Sequence, residues 1–148
     1  MRAVIQKVSE ASVSVGEKVI GKIGTGFLVL LGVEDSDTEE DLSYMIKKVT
    51  QMRVFEDEND KMNLSLRDVG GALLIVSQFT LFANTKKGNR PSFTAAGAPD
   101  FSNKMYLRFI DQCRSLGFQT EHGEFGAHMK VSLVNDGPVT IMLDSKQR

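Results

Sequence analysis

Two short, continuous apolar runs govern what this chain can fold into. "GFLVLLGVE" (residues 26–34) and "ALLIVSQFTLFA" (residues 72–83) are far shorter than the roughly 20 residues that cross a membrane. Their brevity marks them as buried strands, the second a central one. Around them, residues 1–8 and 11–15 alternate apolar with polar, and Gly16-Glu17 turns the chain into a strand over 18–23. The alternating start reads as the first strand of a mature protein, not as a signal peptide. Residues 53–55, 118–122, 129–134 and 139–143 supply the other strands, and "EDENDK" (56–61) is a charged loop. That loop lacks the ligand spacing and central glycine of a calcium site.

Two helices separate these runs. Ser36-Asp37-Thr38-Glu39 offers a capping box, and Leu42, Met45, Ile46, Val49 and Met52 follow at helical spacing, so a helix is expected over 37–52. Pro99-Asp100 opens a second helix. Its apolar face is Phe101, Met105, Phe109, Ile110, Cys113 and Leu116, and Gly117 stops it. The expected architecture is one α+β domain over residues 1–148, with mostly antiparallel strands and two helices packed on one face.

Charge limits the function. Eighteen basic and 19 acidic residues leave a net charge of −1. A protein that grips long nucleic acid by charge is usually clearly basic, so only a small local patch could serve such a partner. Cys113 is the only cysteine, which excludes an internal disulfide and makes a cytoplasmic setting the expectation. On an apolar helix face it reads as a buried structural thiol. His122 and His128 flank "HGEFGAH" with no third metal ligand at a recognisable spacing and no serine or cysteine elbow to activate. No metal and no cofactor is expected.

Three stretches carry more information. In "SQFTL" (77–81), Ser77, Gln78 and Thr80 put polar groups into an apolar strand. Alternation would send Ser77, Phe79 and Leu81 to one face and Gln78 and Thr80 to the other. Either the strand emerges into solvent there, or it forms the mouth of a pocket. "KKGNRP" (86–91) gathers Lys86, Lys87 and Arg90, as a solvated loop or as a phosphate contact. In "NDGPVT" (135–140), Asp136-Gly137 alone would be a two-residue hairpin turn, but Pro138 removes a backbone N–H where the returning strand should begin.

Taken together, "SQFTL" and "NDGPVT" resemble the two signature motifs of the D-aminoacyl-tRNA deacylases. "MRAVIQKVSEASV", "KGNRPSF" and "FGAHMKVSLVNDGPVT" are similar to that family in order and spacing, along the whole chain. The resemblance implies a homodimeric hydrolase of the ester between a D-amino acid and the terminal ribose of tRNA. It implies that Gly137-Pro138 is a cis pair reaching into the partner subunit's pocket, a rigid probe and not a turn. It implies a catalytic pocket of Ser77, Gln78, Phe79 and Thr80, with Phe79 and Leu81 near its floor. Gly137, Pro138, Asn135 and Thr140 would contact substrate, and Phe125 and Met129 would border the terminal adenosine. Lys7, where the family commonly has arginine, would support the Gly-Pro loop, keeping the charge but losing the bidentate geometry. A non-catalytic module for nucleic-acid ends, disfavoured by the even charge, and a general ester hydrolase, disfavoured by the absence of a triad, are the competing readings.

Overall fold

The computed structural model describes residues 1–148. Eight strands, two α-helices and one 3-10 turn follow in the order β1 (Arg2–Val15), β2 (Lys18–Ile23), β3 (Gly26–Gly32), α1 (Glu39–Gln51), β4 (Arg53–Glu56), β5 (Met62–Ser65), β6 (Ala72–Ser77), the turn (Phe79–Phe82), α2 (Pro99–Ser115), β7 (Thr120–His122) and β8 (Met129–Asp144). The main sheet runs β2-β1-β3-β6-β7, with β8 on the other edge of β1. All three ladders of β1 are antiparallel, β3–β6 and β6–β7 are parallel, and β4–β5 form a separate antiparallel pair. The expected α+β class, with mostly antiparallel pairing and two helices, is what the chain adopts.

Strand β1 does not stop between residues 8 and 11. It pairs with β3 through its first half and with β2 through its second. Against β8, Val8 pairs with Asn135 and Glu10 with Val134, so Ser9 is an extra residue. One inserted residue reverses which face the following side chains take. Ala3 and Ile5 face a core of Phe27, Val29, Leu31 and both helices, and Val8 by plain alternation faces the other way; past Ser9 the reversal puts Ala11 and Val13 on Val8's side, in a second core with Ile23, Leu28 and Leu74. The sheet curls so that β2 lies close over β6 and β7. A Cβ added at Gly21 would sit 3.0 Å from the His122 carbonyl oxygen and 3.2 Å from Leu74 Cδ1.

Helix α1 buries Leu42, Met45, Ile46 and Val49, each burial contributing about 1.5–3 kcal/mol. Its cap lies two residues later than expected: Asp41 Oδ2 accepts the Thr38 N–H at 2.8 Å. Asp37 and Asp41, both buried, face the Met1 ammonium and Lys146 respectively, with Lys146 Nζ 2.9 Å from Asp41. Strand β5 lies beyond the expected charged loop, in which Asp57 accepts the N–H groups of Asn59 and Lys61.

Two expectations are corrected. The run at 72–83 is not one strand: pairing ends at Ser77 and the chain tightens into the 3-10 turn, so strand alternation does not govern 78–82. Residues 129–134 and 139–143, expected as separate strands, are parts of the single strand β8, both laid against β1. Gln6 pairs with Thr140 and Val8 with Asn135, so residues 136–139 bulge out opposite Lys7 alone. Pro138 has no ladder bond to break there. Gly137 holds φ +139°, and the Gly137-Pro138 peptide bond is cis.

Burial alone would raise the Asp41 pKa, but hydrogen bonds from Lys146, Ser145 and the Thr38 N–H outweigh it and hold the carboxyl well below its usual range. Its stabilising contribution is therefore complete above the unfolded carboxylate pKa of about 3.9 and is lost as pH falls below it. Urea unfolding from pH 7 to pH 2 should show Asp41→Asn less stable at neutral pH, with a shallower acid-side decline than the parent.

Candidate functional site

Strands β3 and β6 run parallel, and a cleft of about 570 Å³ opens beyond their carboxyl ends. Side chains fan apart at such ends, leaving room for a ligand. Val33 and Val76 form its apolar base, while Ser77, Gln78 and Phe79 line it where β6 gives way to the 3-10 turn. Phe93 closes one side, edge-on to Phe79 at 5.2 Å between ring centres. Pro99 and Ser102 come from the start of α2, and Phe125, His128 and Met129 from the segment leading into β8.

The 3-10 turn explains the polarity that puzzles in the sequence. The Gln78 N–H is tied to the Leu31 carbonyl at 2.8 Å, the last grip of β3 on this segment. The first bond of the turn runs from Leu81 N–H to Gln78 O at 3.2 Å, so the Phe79 and Thr80 N–H groups precede it. Gln78 Nε2 donates to Thr80 Oγ1 at 2.5 Å. Phe79 is 57% exposed, at the cleft wall and not its floor. Leu81 and Thr80 do not line the cleft; Leu81 borders a separate groove with Arg2 and Met142, and its carbonyl accepts from Arg2 Nη1 at 2.9 Å.

The sequence-predicted residues thus fall into two groups. Ser77, Gln78, Phe79, Phe125 and Met129 share the cleft; Lys7, Asn135, Gly137, Pro138 and Thr140 do not line it. Gly137 and Pro138 are exposed on the β8 bulge. Asn135 spans the bulge base, its Oδ1 accepting the Val139 N–H at 3.2 Å and its Nδ2 donating to Thr140 Oγ1 at 3.0 Å. Gln6 Nε2 also donates to Thr140 Oγ1, at 3.3 Å. Within one chain Asn135 and Thr140 brace the bulge. Lys7, 6% exposed, lies beneath it, with Nζ 3.5 Å from Glu56 Oε1 and over the Phe55 ring.

Behind the cleft stands a residue the sequence reading passed over. Tyr106 is buried in α2, and its hydroxyl lies 3.1 Å from both the Ile75 and the Gly123 carbonyl oxygens. It links β6 to the loop carrying Phe125, and burial raises its phenol pKa well above the usual range. Ser102 was also missed. It interrupts the buried stripe of Met105, Tyr106 and Phe109, a small polar residue on an apolar face, and that was the available signal. Gly97 must be glycine-sized: an added Cβ would come within 2.7 Å of Ser102 Oγ and 3.2 Å of the Val33 carbonyl oxygen.

No group of three or more His, Cys, Asp or Glu side chains is arranged to hold a metal ion. Cys113 is buried, with its thiol pushed up to about 12, so it is inert. His122 Nδ1 lies 2.6 Å from the Gly123 carbonyl oxygen. His128 lines the cleft, and no serine, threonine or cysteine is hydrogen-bonded to it. Neither helix is long and apolar enough to cross a membrane.

Fold and cleft define an α+β protein with a cleft of apolar and aromatic walls, edged by the polar Ser77, Gln78 and His128. Comparison with known proteins narrows this. The family model for D-Tyr-tRNA(Tyr) deacylase matches residues 4–144, and the chain belongs to that family. A D-aminoacyl-tRNA deacylase of Thermosipho africanus is 55% identical over 147 residues, 99% of each chain. One of Clostridium novyi is 56% identical, again over 99% of each. Among solved structures, one described as c-Myc DNA Unwinding Element Binding Protein superposes with TM-score 0.91 at 42% identity, covering 97% of this chain and 98% of that one. A probable eukaryotic D-amino acid tRNA deacylase shares the fold at TM-score 0.82 and 20% identity, over 96% of this chain and 97% of that one.

Removing the Tyr106 hydroxyl takes a donor from between two carbonyls that keep other partners. Tyr106→Phe should cost about 1 kcal/mol in chemical denaturation, with the fold retained.

Proposed function

We propose that this chain hydrolyses the ester between a D-amino acid and the terminal ribose of tRNA, acting as a homodimer in the cytoplasm. The observation that carries the reading is the break in β6. Ser77, Gln78 and Phe79 wall the cleft where the 3-10 turn leaves the Phe79 and Thr80 N–H groups ahead of its first internal bond. Such donors stabilise an ester carbonyl oxygen as it gains negative charge. Water adds to the carbonyl carbon, the bond to the ribose oxygen breaks, and that oxygen takes the proton the water gives up, helped by the neighbouring ribose hydroxyl. An aminoacyl ester is already activated, so positioning and oxyanion stabilisation suffice. Phe125 and Met129 border the terminal adenosine, where stacking on an aromatic face is worth about 1–3 kcal/mol.

Thr80 is a positioning residue in this reading. Its hydroxyl is engaged by Gln78, and no histidine, lysine or carboxylate hydrogen-bonds to it. A nucleophile would need such a base.

Selection of the D enantiomer falls to Gly137-Pro138 of a second copy. Exposure of the bulge, and its absence from the cleft of its own chain, support an intermolecular role. Met142, 81% exposed on the same strand, and half-buried Val4 add apolar surface for a second chain to cover. Glycine brings main chain up to the substrate with no Cβ in the way. Backbone carbonyls take the α-ammonium, and the same wall occupies the space an L side chain would need. Specificity then comes from a clash, with no recognition of the D side chain, so many D residues are accepted.

Incubation with matched D- and L-aminoacyl-tRNA tests this directly. Release of D-amino acid with the L ester intact is expected. Glycyl-tRNA should also be cleaved to some extent, because glycine has nothing to clash. Cleavage of both enantiomers would leave a general esterase, and no cleavage a binding module. Thr80→Ala should keep near-normal turnover in the same assay; a loss on the order of 10⁴-fold with fold and binding intact would make Thr80 the nucleophile.

A further inference from the structure

The loop between the 3-10 turn and α2 is built as a short arm. Asn84 and Ser92 close its base by exchanging both backbone hydrogen bonds, Asn84 N–H to Ser92 O at 2.7 Å and Ser92 N–H to Asn84 O at 2.9 Å. Asn84 Oδ1 accepts the Lys86 N–H at 3.0 Å, and Gly88 takes φ +67°, which shapes the tip. One residue past the base, Phe93 forms the cleft wall. The tip carries Lys86, Lys87 and Arg90, all exposed.

These cations have no work inside the fold. The ion pairs of the chain use Met1, Arg2, Lys7, Arg108, Lys146 and Arg148, and none of the three. No acidic residue occurs between Asp68 and Asp100, although the chain holds 19. In a protein of net charge −1, this arm is a place where positive charge is left uncompensated by its own segment.

We propose that the arm is the docking surface for the phosphates of the single-stranded 3′ end of the RNA whose terminal nucleoside enters the cleft. The proposal rests on the tRNA-ester reading above. Arg90 suits a phosphate through its planar fork, and the two lysines act as point charges. Contacts of this kind position a strand without reading its sequence. A protein of slight negative charge thereby offers its polyanion a cluster of cations beside the cleft that the ester must enter.

The test compares the parent with a Lys86→Ala, Lys87→Ala, Arg90→Ala triple variant on two esters, D-aminoacyl-tRNA and D-aminoacyl-adenosine, which has no phosphate. With tRNA, the variant should show about a tenfold or greater rise in KM at moderate salt with kcat little changed. Its dependence of log kcat/KM on log salt should be shallower by about 2, from three single-strand phosphate contacts at ~0.7 each. Turnover of the nucleoside ester should be unaffected, and the charge-retaining K86R/K87R/R90K variant should keep the parental salt slope. Unchanged tRNA kinetics and slope, or equal loss on both esters, would overturn the proposal. If the parent cleaves neither ester, the hydrolase reading fails, and the arm is judged by binding of a single-stranded RNA with a free 3′ end. Binding lost in the triple variant supports it; equal binding overturns it.

Discussion

Strand β1 has one edge given wholly to β8 and another divided between β3 and β2. Every later element depends on that division. The first half of the strand holds β3 in place, which sets β6 beside it in parallel and puts their carboxyl ends at the cleft. The second half carries β2 back over the opposite face. The single residue Ser9 makes this possible, because the phase reversal lets one strand serve two cores. Without it, Ala11 and Val13 would point away from the apolar layer they complete.

Much of this was legible in the sequence. The alternating start, the apolar run at 26–34, the helical spacing after residue 37 and the Pro99 to Gly117 frame all became the elements they indicated. What was illegible depends on partners distant in the chain. The end of β6 is set by where β3 stops offering hydrogen bonds, at Leu31, and nothing local to "SQFTL" says so. Likewise, Pro138 argues correctly against a tight hairpin. That the strand simply resumes after a bulge depends on β1 waiting on the far side.

The site divides the same way. Ser77, Gln78 and Thr80 stood out because polarity in a buried strand needs a reason; Ser77 and Gln78 line the cleft, and Thr80 does not. Ser102 and Tyr106 sat on a helix face that reads as ordinary core. Asn135 and Thr140 look like ligand contacts in a motif, but within one chain their side chains tie the bulge shut. A hydrogen-bonded brace and a ligand contact use the same residue types, so the sequence alone does not separate them.

The bulge on β8 joins two stretches whose pairing with β1 is independently secured on either side. Changes of length or composition there are absorbed locally, since neither flank must slide to accommodate them. The projection is therefore mechanically insulated from the sheet that carries it. A disturbance of the projection leaves the scaffold, and the cleft at the far end of the parallel pair, in place.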